Sequence, residues 1–156
     1  MSEINQSELY HGSSHLIKKL EPRPSRVIEG EEAVFATNSK VLATVFIPKW
    51  TDCDFQLGVH NNRIYAVENY PNAFDLLKVK NERDIGGYLY TVSSEGFQTD
   101  KRLGMRNHEF INKNEVNIQR TEIIEDVYEY LQNSPEISMI TYDQMIDALF
   151  DQGLIK

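Results

Sequence analysis

The sequence predicts an α+β domain, with strands in the middle of the chain and helices near its start and at its end. Three observations lead there. Compact apolar, aromatic or β-branched runs recur, among them Ala33-Val34-Phe35-Ala36 and Tyr88-Leu89-Tyr90-Thr91-Val92. Two further runs, Phe55 to His60 and Arg63 to Glu68, flank Asn61-Asn62, and asparagine accepts the positive φ of a two-residue hairpin turn. After about residue 120 the apolar spacing becomes helical, through Ile123, Ile124, Val127, Tyr128 and Leu131.

Taken in order, residues 1 to 7 are a polar lead-in. Glu8 to His11 alternates as a short strand ended by Gly12. Leu16, Ile17 and Leu20 have helical spacing over His15 to Leu20, and Pro22 and Pro24 break any helix there. Arg26 to Glu32 is charged and reads as a surface loop. Ala33 to Ala36 is a buried strand. Thr37 or Asn38 can cap the helix that follows, because either side chain can accept from first-turn amides. Val41, Leu42, Val45 and Phe46 give that helix one apolar face, and Pro48 closes it. Trp50 to Asp54 is a polar loop, and Ala73 to Val79 fits helix or strand equally.

Tyr88 to Val92 is a strand, with Tyr88 and Tyr90 on one face. Ser93 to Gly104 is polar and expected at the surface. Glu109 to Ile111 and Val116 to Ile118 are short strands around a polar turn. Ser134-Pro135 separates the helix begun at Ile123 from a last one, started at Thr141 or Tyr142, with Met145, Ile146, Leu149 and Phe150 on one face and Gly153 as its stop.

The totals bound the function. A chain of 156 residues fits a single domain, 1–156, and can bury a real core. A net charge of −8 argues against generic binding to a phosphate backbone. One cysteine, Cys53, allows no intrachain disulfide, and its acidic neighbours Asp52 and Asp54 disfavour a thiolate. No apolar run can span a bilayer, and residues 1 to 7 lack the apolar region of a leader, so a cytoplasmic setting is expected. His15, His60 and His108 show no metal-ligand spacing; His11 and His15 are four apart, but Gly12 and the strand end argue against one helical face, and no phosphate-binding glycine fingerprint is present.

Three stretches carry a resemblance: Tyr10-His11-Gly12-Ser13; Ala33-Val34-Phe35-Ala36 leading into a helix with Ala43; and His108-Glu109-Phe110-Ile111 followed by Val116-Asn117-Ile118. In order and rough spacing they resemble the three motifs of the ADP-ribosyltransferase superfamily, in particular the branch that includes the poly-ADP-ribose polymerases. The resemblance covers 8–120 and leaves 121–156 as a helical extension. It implies two packed, mainly antiparallel sheets with flanking helices, and NAD as substrate. It also implies the roles: His11 and Gly12 hold NAD, Ser13 assists, Val34 and Phe35 line the pocket, and Glu109 is the catalytic carboxylate.

The chemistry suits those residue types. Breaking the bond between nicotinamide and ribose creates a cation-like sugar, which a carboxylate stabilises. Glycine lets a carboxamide approach the backbone, and histidine can bond a ribose hydroxyl. The sequence departs from the branch at the second motif. Val34 aligns with a tyrosine that packs on nicotinamide, and Leu42 and Val45 align with a serine and a second tyrosine. Tyr88 or Tyr90 is a candidate replacement wall.

The acceptor is expected to be a protein or small molecule rather than long nucleic acid. The alternative is a non-catalytic binding module on the same fold, or an interaction protein that works through its terminal helices. Taken singly, His11 also fits a hydrogen-bonded residue at a strand end, and Glu109 a solvated carboxylate on an edge strand.

Overall fold

The computed structural model describes residues 7–24, 30–79, 86–103 and 108–153. The chain is α+β, and its strands are mostly antiparallel. The larger sheet contains β1 (Glu8–Ser13), β2 (Lys19–Leu20), β3 (Arg23–Pro24), β4 (Glu32–Thr37), β7 (Gly87–Ser93), β8 (Glu109–Asn112) and β9 (Val116–Ile124). Its order is β2-β9-β7-β1-β4-β3, with β8 paired to β4. A smaller sheet orders β10 (Ile137–Ile140), β6 (Arg63–Glu68) and β5 (Phe55–His60), and only β10 runs parallel to its neighbour.

The central strand shows why the large sheet forms. Every residue from Gly87 to Val92 is buried, and alternation divides the side chains between two faces. Leu89 joins the main core between the sheets, with Leu42 and Val45 of α1 (Lys40–Val45), Phe55, Ile64, and Val127 and Leu131 of α2 (Val127–Gln132). Tyr88, Tyr90 and Val92 face a second core with Leu9, Val34, Phe97, Phe110 and Val116. The hairpin of β5 and β6 closes as expected, with Asn61 at φ 50° and Asn62 at φ 64°.

Several expectations are corrected. β1 does not stop at Gly12 but runs on to Ser13, paired with β7 throughout. The helix expected over His15 to Leu20 is absent. Instead the Tyr90 hydroxyl accepts from the Ile17 amide (2.9 Å) and donates to the His15 carbonyl (2.8 Å), and Lys19–Leu20 pairs with β9. A tertiary anchor overrides a short helical spacing. Ser39, not Thr37 or Asn38, caps α1 by accepting from the Leu42 amide. Thr37 is engaged elsewhere: its Oγ1 donates to the Ser39 carbonyl at 2.7 Å. The helix ends at Val45, before Pro48.

Trp50 is not merely in a polar loop. Its indole donates to the Val45 carbonyl and stacks 4.1 Å from Phe55. Ala73–Leu77 is a 3-10 helix. In the stretch read as polar and exposed, Phe97 and Leu103 are buried, and Gln98 bridges to Ile111 of β8. Ile123 and Ile124 belong to β9, so the following helix starts only at Val127, capped by the Asp126 carboxylate. The strand β10, unforeseen, lies between the last two helices. The final helix, α3 (Tyr142–Asp151), begins at Thr141 with a reciprocal capping box to Gln144 and leaves its apolar face only half covered. The expectations for residues 1–6 and 25–29 and for Gly104 lie outside the described residues. Among those described, no helix is long and apolar enough to cross a membrane.

Candidate functional site

The site begins where two strands part. β1 pairs with β7 along its whole length but meets β4 only at Tyr10 and Thr37. On its other side Thr37 pairs with Glu109, and the β4–β8 ladder continues to Val34 and Asn112. Tyr10, Thr37 and Glu109 therefore form one row across three strands. Beyond that row, β1 and β4 diverge and the sheet opens.

A cavity of about 300 Å³ fills the opening, lined by Tyr10, His11, Gly12, Phe35, Ala36, Thr37, Ala43, Phe46 and Glu109. Residues far apart in sequence thus share one concavity. Ser13 lies outside it, at the end of β1, where its Oγ accepts from the His15 amide at 3.1 Å. Val34 also lies outside it. Its side chain is in the second core and lines a smaller neighbouring hollow of about 130 Å³. That hollow also includes His11, Phe35, Lys19 and Arg23.

His11 spans the opening. Its Nδ1 lies 2.6 Å from the Phe35 carbonyl oxygen. A carbonyl only accepts, so Nδ1 carries a proton, and in the neutral ring Nε2 is an acceptor. Burial pushes the imidazole pKa below 6.5, and the positive charge of Arg23 adds to the effect, while the bond to Phe35 opposes it. The ring of Tyr90 stands 6.5 Å away, nearly parallel. Tyr90 and Tyr88 are both buried and neither lines the cavity. They form the packing behind His11, not the ring wall.

Gly12 faces α1. A Cβ there would clash with the Ala43 carbonyl oxygen and come within 2.7 Å of Ile47 Cγ1. The absent side chain lets helix and strand touch, which brings α1 over the cavity. Ala43 of α1 and Phe46, the residue just past its end, both line the opening. Leu42 and Val45, each at 0% exposure, point into the main core. The cavity-facing positions of this stretch are thus 43 and 46, not 42 and 45. Phe46 is 40% exposed, and it supplies an aromatic wall that the sequence pattern assigned to the core stripe. Its only sequence signal is its spacing of three from Ala43.

Among the described residues, no group of three or more His, Cys, Asp or Glu side chains is arranged to hold a metal. Comparison with protein-family models, with curated proteins and with solved structures found no match.

Proposed function

We propose that the cavity between β1, β4, β8 and α1 binds the nicotinamide riboside half of NAD, and that the protein transfers ADP-ribose from NAD to an acceptor. On this reading the two sheets have the ADP-ribosyltransferase arrangement. The observation that carries it is the convergence of His11 and Glu109 on one cavity with aromatic walls at Phe35 and Phe46. Mostly apolar concavities with a few convergent polar groups are the usual form of ligand sites.

On this reading each lining residue has a role. Nε2 of His11, an acceptor, takes a ribose hydroxyl. Phe46 covers the nicotinamide ring in place of the tyrosines absent from the sequence. The small hollow beyond His11, lined by Lys19, Glu21 and Arg23, takes at most one phosphate of the remaining half of NAD, with Arg23 as the group that suits it. In the transfer, the bond between C1′ and the nicotinamide nitrogen breaks, and nicotinamide leaves with the electron pair. The acceptor's lone pair then forms the new bond to C1′, and its proton passes to Glu109 or water. The Glu109 carboxylate stabilises the cation-like sugar in between.

One observation favours binding without turnover: Ala43 and Phe46, which line the cavity from α1 and its C-terminal end, bring no hydroxyl to a carboxamide. Labelled NAD incubated with the parent protein and with Glu109→Gln separates the two readings. Transfer chemistry gives nicotinamide release that falls by about 10²-fold or more in the variant, with unchanged circular dichroism. Equal release by both removes Glu109 from the mechanism. Saturable NAD binding with no release in the presence of candidate acceptors supports the binding module.

A further inference from the structure

We propose that Trp50 is a positioning residue: it holds the Phe46 ring as a wall of the cavity, and so sets the affinity of the site without touching the ligand. The consequence for NAD rests on the reading above; the hold on Phe46 does not.

Phe46 needs support from outside its helix. It follows the last residue of α1, it lines the cavity, and it stays 40% exposed. A half-exposed phenylalanine at a helix end has more than one rotamer open to it unless another group packs on it. Its backbone is already fixed. The Phe46 amide donates to the Ala43 carbonyl at 3.2 Å, and the Ile47 amide to that of Thr44 at 3.1 Å. Ile47 is buried so close to the sheet that a Cβ on Gly12 or on Gly87 would strike it. The chain after α1 is therefore pinned to the strands, and only the ring of Phe46 is left to be held.

Trp50 supplies that hold. Its ring lies at 14° to that of Phe46, with 5.7 Å between centroids, in a stacked arrangement. Two contacts fix Trp50 in turn. Its indole N–H donates to the Val45 carbonyl at 2.8 Å, in the last turn of α1, where carbonyls lack partners within the helix. Its ring also stacks 4.1 Å from Phe55, a fully buried core residue that packs 5.5 Å from Phe74. The hydrogen bond fixes the edge of the indole, and the stack on Phe55 fixes its plane. Order thus passes from the core through Phe55 and Trp50 to Phe46. Trp50 is not among the residues that line the cavity, so its effect on a ligand goes through Phe46.

The test is a double-mutant cycle read by NAD calorimetry, with the parent, Trp50→Leu, Phe46→Ala and the double variant. Each single substitution weakens binding about fivefold to tenfold, and the double variant binds no worse than Phe46→Ala alone. Trp50→Phe, which keeps a ring in the stack and removes only the N–H, recovers most of the loss. Losses that multiply in the double variant, or parent-like affinity in Trp50→Leu, overturn the proposal. A second measurement uses no ligand: nuclear relaxation of isotope-labelled phenylalanine rings, which reports picosecond-to-nanosecond motion. In the parent, Phe46 is expected to be as ordered as buried Phe110, despite its exposure. In Trp50→Leu, Phe46 loosens and Phe110 does not. A mobile Phe46 ring in the parent, or an equally ordered one in Trp50→Leu, overturns the proposal whether or not NAD binds. A parent that binds no NAD removes the reading of the cavity, and ring order then decides the role of Trp50.

Discussion

His11 Nδ1 sits 2.6 Å from the Phe35 carbonyl, so one side chain closes the gap that two diverging strands leave in the sheet. The contact keeps a neutral imidazole in one tautomer. Burial of the ring makes folding sensitive to acid. Burial holds the folded pKa below the ordinary value of 6.5, so the unfolded chain binds the proton more readily. Stability from neutral His11 is complete above pH 6.5 and is lost as pH falls through the lowered value. Urea unfolding between about pH 7.5 and about pH 5.5 measures this. The slope becomes shallower in His11→Gln, and an unchanged slope contradicts it.

Phe46 tests the aromatic wall. Its ring is half exposed and stacks 5.7 Å from Trp50, so Phe46→Ala costs about 1 kcal/mol of stability. On the proposed NAD reading, affinity for NAD falls about fivefold to tenfold by calorimetry, the amount a ring contact contributes. The neighbouring substitution Leu42→Ala, in the core, costs about 2–5 kcal/mol. Unaltered affinity in Phe46→Ala would move the ligand away from α1.

Gly12 is held by contact with the helix. Gly12→Ala forces its new methyl against the Ala43 carbonyl, and backbone must move to admit it. Destabilisation of about 1–3 kcal/mol is expected, with a lower urea midpoint. A neutral result would mean that α1 rides more loosely on β1 than this close packing requires.

Glu68 ties the last helix to the body. Its carboxylate, 3% exposed, accepts from the Phe74 amide at 2.7 Å and from the Tyr142 amide at 2.9 Å. Both donors sit at helix starts, where amides lack partners within the helix. Glu68→Ala leaves them without that acceptor and costs about 1–3 kcal/mol. Amide exchange at Phe74 and Tyr142 rises first. Protection equal to that of the parent at both positions would refute the tie.

Local chemistry made much of the fold legible in the sequence. The asparagine pair sets the hairpin because its residues accept positive φ, and Tyr88 to Val92 reads as a strand because its residues are aromatic and β-branched. The Thr141 cap and the stop at Gly153 are equally local. His15 to Leu20 misled because its apolar spacing is helical over too few turns to resist the Tyr90 hydroxyl. Ile123 and Ile124 misled because two adjacent apolar residues continue a helical stripe and also end a strand.

The residue types of the candidate site are written in the sequence, since histidine, glycine and glutamate bring the needed acceptor, close approach and charge wherever they are placed. Their convergence belongs to the tertiary structure. Only the parting of β1 from β4 opens a cavity between His11 and Glu109, and only the Gly12–Ala43 contact sets the rotation of α1. That rotation faces Phe46 into the cavity and Leu42 and Val45 into the core, a choice that helical periodicity leaves open because neighbouring faces of a short apolar helix differ by a single residue.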